Sequence, residues 1–212
     1  MPEVALIDYG SGNLRSAEKA LTRAAEGTDA AIVVTADPER VLTAARVVLP
    51  GVGAFADCMA GVSSIPGMVE ALTAAVRERG APFLGICVGM QLLADVGREF
   101  GDTKGLGWIG GEVVRLAPGD PKLKVPHMGW NALHFTRAHP VFAGIAEGEH
   151  FYFVHSYEFR TRSKSDRVAE TEYGGAVTAA IARGNVVGVQ FHPEKSQAAG
   201  LKLLANFLAW QP

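Results

Sequence analysis

The stretch FLGICVGMQLLAD, residues 83–95, sets a cysteine between Gly85 and Gly89, where an apolar run gives way to a helix-like pattern. By itself, a cysteine in such company reads as an inert core residue. Three local features point to chemistry instead. The G-x-C-x-G spacing is that of a sharp strand-to-helix elbow, and glycine on both sides removes the Cβ crowding that would stop the central residue being lifted out at strained dihedrals. The following GMQLLADV reads as a helix, which puts the sulfur near a helix N-terminus, where partial positive charge favours a thiolate. Open α/β sheets also place their chemistry at the carboxyl ends of parallel strands. Cys87 is therefore a candidate nucleophile that still needs a base.

VQFHPEKS, residues 189–196, supplies one. A residue before proline is pushed into extended conformation, and extended residues two apart project to one side, so His192 and Glu194 share a face. The carboxylate can then hold one imidazole nitrogen while the other turns to a thiol, the Cys-His-acid arrangement of an activated nucleophile. A bare HPE also fits a solvated surface turn; the pairing with the cysteine elbow favours the functional reading. A third piece is VVLPGVGAFADC, residues 47–58. A strand ending at Pro50 is followed by Gly51, Val52 and Gly53. Backbone N–H groups of this turn, with that of Val88, are placed to stabilise a developing oxyanion. Gly51 tolerates positive φ and makes this segment pliable. The oxyanion site is then expected to form only when a partner binds. Cys58 has no elbow and no nearby base, and reads as structural.

VALID, AIVVT, RVVLP and PFLGI are near-continuous apolar runs of the kind buried on both faces of a parallel sheet. LRSAEKALTRAAE, PERVLTAA and GMVEALTAAVRERG lie between them with helical periodicity, which predicts a doubly wound α/β fold. From about Glu112 the texture changes to EVVRL, MGWNALHF, HFYFVHSYEF, RVAETEY, AVTAAIA and VVGVQF, read as hairpins that extend the sheet or form a smaller antiparallel one. SQAAGLKLLANFLAW closes the chain as a helix with Ser196 as its expected N-cap. No Pro/Gly-rich linker divides the 212 residues, so one domain over 1–212 is expected.

Composition narrows the function class. A formal net charge of −2 leaves no footprint for nucleic acid or an anionic membrane, and no apolar run approaches the roughly 18 residues that span a bilayer. MPEVALIDYG lacks the features of a signal peptide, and two cysteines make no disulfide framework, so a cytoplasmic protein is expected. No ligand spacing supports a metal; His127, His134, His139, His150 and His155 read as local hydrogen-bonding or surface residues. DYGSGNL fails the dinucleotide fingerprint because Arg15 stands where glycine is required, and a tight strand-to-helix turn is the reading kept.

With GICVGMQ, PGVGAF and HPEKS together and in this order, the chain resembles class I glutamine amidotransferase domains along essentially its whole length. DYGSGNL, TKGLGW, PHMGWN, FYFVHSYEF and HPEKS before the last helix resemble, more narrowly, the glutaminase-subunit family of imidazole glycerol phosphate synthases. Val88 replaces a frequent leucine, and segment 160–167 matches nothing diagnostic. The resemblance implies a flavodoxin-like α/β fold, a mostly parallel central sheet flanked by helices with added antiparallel strands in the C-terminal half. It implies Cys87 as nucleophile, His192 as base and acid, Glu194 as orienting carboxylate, and the N–H groups of Val52 and Val88 as oxyanion hole. Glutamine would be held at Gly51 and Gly53, by Gln91, and by the main chain at Ser156 and Tyr157. No cofactor is implied.

A partner follows from chemistry, because ammonia released into water is protonated and loses its nucleophilic lone pair. The resemblance names it as a (β/α)8-barrel cyclase subunit acting on the phosphoribosylated aminoimidazole carboxamide PRFAR, with Asn13, Trp130, Tyr152 and Lys195 at the contact. Two other readings are a glutaminase serving anthranilate or pyridoxal phosphate synthesis, and a non-catalytic flavodoxin-like interaction subunit.

Overall fold

Runs of apolar residues with no polar alternation cannot face water on either side, and here they become the centre of the largest sheet. The computed structural model describes residues 1–10 and 13–212; Ser11 and Gly12, within the expected DYGSGNL turn, lie outside the described residues. The first half alternates as expected: β1 (Glu3–Ile7), α1 (Leu14–Ala24), β2 (Ala31–Thr35), α2 (Pro38–Thr43), β3 (Arg46–Gly51), α3 (Phe55–Ser64), α4 (Met68–Thr73, extended by a π-helical turn to Glu78), β4 (Phe83–Cys87) and α5 (Val88–Gln91). The second half carries β5 (Val96–Gly97), β6 (Thr103–Lys104), β7 (Gly111–Arg115), β8 (His127–Ala132), β9 (His134–Phe135), β10 (His150–His155), β11 (Tyr157–Thr161), β12 (Arg167–Glu172), β13 (Ala176–Arg183), β14 (Val186–Val189) and α6 (Gln197–Ala209).

The main sheet runs β2-β1-β3-β4-β14-β13-β12-β9. Its first five strands are parallel, and β13, β12 and β9 continue it antiparallel. β4 is buried at every position, with β3 on one side and β14 on the other, which brings the chain following each of these strands to one edge. Both expectations for the second half hold at once, since the hairpins extend this sheet and also build two smaller ones, β11-β7-β5-β6 and β10-β8. The run HFYFVHSYEF divides at Ser156. The two halves pair into different sheets, β10 with β8 and β11 with β7.

Two local expectations need correction. The helix predicted after Cys87 is a single turn, α5, because the carbonyls that would propagate it are taken by a later segment. Leu106 N–H donates to Leu92 O at 2.7 Å, Gly107 N–H to Ala94 O at 3.0 Å and Ile109 N–H to Leu93 O at 3.1 Å. Ser196 stands at the N-cap position of α6 without capping it. Its hydroxyl donates to His192 O at 2.6 Å and accepts from Tyr152 N–H at 3.0 Å, tying the turn after β14 to β10.

Candidate active site

Cys87 ends β4 with φ 55° and ψ −111°, a conformation that costs a side-chain-bearing residue on the order of 1–3 kcal/mol and is held by its surroundings. Those surroundings explain the two glycines. A Cβ on Gly89 would overlap the carbonyl of Leu49, and one on Gly85 would lie 2.7 Å from the carbonyl carbon of Gly89. Neither glycine has positive φ, so both serve close packing rather than unusual torsion. Gly51 belongs to the same packing: it pairs with Cys87 in the β3–β4 register, and an added Cβ would meet Gly89 N at 2.7 Å. Positive φ falls at Gly53 instead (92°). The pliability expected of Gly51 is thus a matter of contact, and an alanine there would press on the elbow itself.

His192 follows β14 in extended conformation, but Pro193–Lys195 forms a 3-10 turn, so Glu194 reaches back to the imidazole around a turn rather than along a strand. Nδ1 of His192 lies 2.7 Å from Oε1 of Glu194, and both side chains are buried. Nε2 of His192 and Oε2 of Glu194 are the buried side-chain polar atoms without a hydrogen bond among the described residues. Burial pulls the imidazole down, yet Cys87 and Glu194 together outweigh it and push His192 up to about 9. With Nδ1 committed to the carboxylate, Nε2 is the nitrogen left to exchange a proton with the thiol. The amide of Gln190 lies 3.7 Å from Cys87 Sγ.

These groups open on a cavity of about 400 Å³ lined by Val52, Gly53, Cys87, Val88, Gln91, Glu99, Pro126, Val154, His155, Ser156, Tyr157, His192 and Lys195. Of the residues expected to hold glutamine, Gly53, Gln91, Ser156 and Tyr157 are in the wall, and Gly51 lies behind it. Gln91 Nε2 donates to Gln190 Oε1 at 3.0 Å and to Tyr157 O at 3.2 Å. Tyr157 O also faces His155 Nδ1 at 2.9 Å, and Ser156 O accepts from Leu116 N–H. Both carbonyls are therefore occupied by the protein.

His127 and His155 are hydrogen-bonding residues, as expected, but their pairing and the place of His155 and Glu99 on the cavity wall leave no mark in the sequence. Glu99 accepts from Phe55 N–H at 2.9 Å at the start of α3 and so brings a carboxylate to the cavity wall; no sequence pattern marks it. His155 lies on the wall with its Nε2 2.9 Å from His127 Nδ1, while His127 Nε2 is 3.2 Å from the Asn131 amide. Because Tyr157 O can only accept, one tautomer runs through the chain: each Nδ1 donates and each Nε2 accepts. Burial pulls both imidazoles down to about 4.

The four residues expected at a partner contact separate. Trp130, 47% exposed, packs edge-on to Tyr152 with ring centroids 6.0 Å apart, and Lys195 Nζ sits 5.8 Å from the Tyr152 ring. Asn13 does something else. Its left-handed conformation (φ 72°) at the start of α1 turns the side-chain amide onto Glu194 Oε1, the oxygen that also holds His192.

The family described as glutamine amidotransferase class-I matches residues 5–210. A solved structure of a glutamine amidotransferase superposes with a TM-score of 0.71 at 20% identity, over 97% of each chain. A glutamine amidotransferase from Thermotoga maritima gives 0.61 at 18%, over 91% of this chain and 76% of that one. The chain belongs to the class-I glutamine amidotransferases, with the glutaminase activity that family carries. It is also similar, along essentially its whole length, to proteins named imidazole glycerol phosphate synthase subunit HisH. That of Rhodospirillum rubrum is 64% identical over 99% of both chains, and that of Caulobacter vibrioides 60% identical over 100% of both. Among the described residues no single helix is long and apolar enough to cross a membrane.

Proposed function

We propose that this chain hydrolyses glutamine at Cys87 and passes the ammonia to a cyclase subunit of imidazole glycerol phosphate synthase. The observation that carries the reading is the elbow cysteine facing a buried His192–Glu194 pair on a cavity of amino-acid size. His192, protonated at neutral pH, stabilises the Cys87 thiolate. The thiolate attacks the side-chain carboxamide, and the oxyanion is met by the N–H groups of Val52 and Val88. His192 gives its proton to the departing ammonia, and the neutral imidazole then takes one from the water that cleaves the γ-glutamyl thioester. Glu194 keeps the ring aligned throughout, and Asn13 keeps Glu194 aligned. Both Gln91 donors being committed, its Oε1 and the Glu99 carboxylate are the groups that answer the substrate ammonium. The substrate carboxylate is left to backbone N–H groups around Ser156 and Tyr157, since their carbonyls are taken.

The cyclase, a (β/α)8 barrel working on PRFAR, is proposed from the names of the relatives and from the need to keep ammonia away from water. Exposed Met128 (62%) and Trp130, with Tyr152 and Lys195, form the apolar-and-basic face offered to it. Contact there reaches the site directly, because Tyr152 O accepts from His192 N–H at 2.9 Å. Ammonia transfer with purified cyclase tests the reading. Wild type should support glutamine-dependent imidazole glycerol phosphate formation, and Cys87→Ala should lower it by about 10³-fold or more while leaving synthesis from added ammonia intact. Glutamine-dependent synthesis that survives Cys87→Ala would defeat it.

A further inference from the structure

Gln190 is a fully buried amide with no task in the reaction just described. It follows the four apolar residues of β14, one position beyond the Val189–Ile86 pair, where β14 runs beside the strand that ends in Cys87. Its backbone N–H donates to Ala179 O of β13 at 2.8 Å. Filling the space beyond β14 asks only for a long apolar side chain, and burying an amide is costly unless its polar atoms are met. Here both are met by groups of the site. Nε2 of Gln190 lies 3.7 Å from Cys87 Sγ, and its Oε1 accepts from Gln91 Nε2 at 3.0 Å.

Which end of the Gln190 amide faces the sulfur is decided at Tyr157. The Tyr157 carbonyl can only accept, and Gln91 turns its side-chain nitrogen to it at 3.2 Å. The same NH2 group faces Gln190, which must answer with its carbonyl oxygen. The NH2 of Gln190 is thereby turned to Cys87. Reversing it would set NH2 against NH2 and a carbonyl oxygen against the sulfur. His155 Nδ1 meets the same Tyr157 carbonyl at 2.9 Å, so the chain of donors starts from a point held twice. A hydrogen bond donated to the charged form of an acid favours that form, and an amide N–H aimed at sulfur therefore favours thiolate over thiol.

We propose that Gln190 is a further catalytic residue of glutamine hydrolysis: its amide N–H stabilises the Cys87 thiolate, both as the attacking group and as the group released when water cleaves the thioester, while its carbonyl oxygen holds the Gln91 amide in the substrate cavity. The inference rests on Cys87 as nucleophile. His192 and Gln190 then serve the sulfur differently. The imidazole loses and regains its proton during the cycle, whereas the amide is a fixed dipole that needs no reorganisation.

The experiment compares wild type, Gln190→Met and Gln190→Glu. Alkylation of Cys87 by iodoacetamide is followed on the full chain across pH, with mass spectrometry to assign the site and Cys87→Ala as the blank. Steady-state kcat and KM for glutamine are measured with the cyclase subunit and its ligand. Methionine keeps the length of the side chain and loses the donor and the carbonyl. Its alkylation near pH 7 should be about tenfold slower, converging on wild type in alkaline solution where the sulfur ionises in either protein. Its kcat should fall about tenfold and its KM rise about threefold. Glutamate keeps an oxygen for Gln91 but sets a carboxyl against the sulfur. A carboxyl yields its proton more readily than a thiol, so negative charge collects there at the expense of the thiolate. Alkylation near pH 7 and kcat should then fall below those of the methionine variant, with KM within about twofold of wild type. A packing role alone predicts that methionine leaves alkylation unchanged, or slows it equally at every pH, and either result overturns the proposal. Should Gln190→Glu not fold, Gln190→Met decides, because it buries no new polar group. A chain whose alkylation follows the expected order but which hydrolyses no glutamine with its cyclase defeats the glutaminase reading instead.

Discussion

His192 and His155 line the same cavity, and both are buried, yet they are driven in opposite directions. His192 is pushed up to about 9 and His155 down to about 4. Burial alone lowers both, since it penalises the charged ring. What differs is the company. His192 faces the Glu194 carboxylate and the Cys87 sulfur, and its contacts with both favour the protonated ring. His155 faces a carbonyl and a second imidazole, and the repulsion of His127 and His192 adds to its desolvation. Under the proposed function the first region moves a proton, and the other keeps two rings in one tautomer beside the Tyr157 carbonyl and Gln91. Burial by itself therefore says little about a histidine; the groups that meet its two nitrogens decide.

The largest test of that contrast is to remove the carboxylate. Glu194→Gln keeps the shape of the side chain but takes away the charge, and should lower kcat by about 10²-fold or more. The pKa of His192 should fall with it, moving the alkaline limit of activity from about 9 toward neutrality. A pH–rate profile with an unmoved alkaline limb would show that Glu194 does not set the imidazole.

Asn13 probes the same region more gently. Among the described residues, Asn13→Ala leaves Glu194 held by His192 alone, and a loss in kcat of about tenfold at nearly constant KM is expected from steady-state assay. Asn13→Asp places a second carboxylate against the first and should be worse than alanine. Equal activities for alanine and aspartate would place Asn13 outside the triad's support.

Stability against pH separates the two regions without any substrate. His192, raised in the folded state, contributes stability that is whole below about pH 6.5 and is lost as pH rises through about 9. His127, His139 and His155 are lowered to about 4, so unfolding takes up protons between about 6.5 and 4, and stability falls as pH falls through that window. His139 lies apart from the cavity and accepts from Val141 N–H at a 3-10 turn, which makes it the simplest member to remove. His139→Asn keeps an acceptor and drops the titration. Melting curves should coincide with wild type near pH 7, with the variant about 2–4 °C higher near pH 5. Parallel curves at both pH values would contradict the assigned protonation.

The parallel half of the fold and the Cys87, His192 and Glu194 constellation were legible in the chain because each leaves a local pattern: apolar runs without alternation, glycines two residues either side of a cysteine, a histidine before proline. The length of α5 was not, since Leu106, Gly107 and Ile109 decide it from a distance. Asn13 was legible as a residue of interest through the family resemblance, but its partner 181 positions away was not.

The sequence by itself determined which chemistry is available here, because nucleophile, base and carboxylate are properties of residue types and the elbow is a property of local backbone. Tertiary structure decided what each group experiences. Tyr9 and Cys58 meet the backbone at the end of β3 and just beyond it, Asn13 meets Glu194, and His127 meets His155 only once strands and helices distant in the chain are packed together. Proton affinity and alignment depend on such neighbours over a few ångströms, and spacing along a chain does not report them.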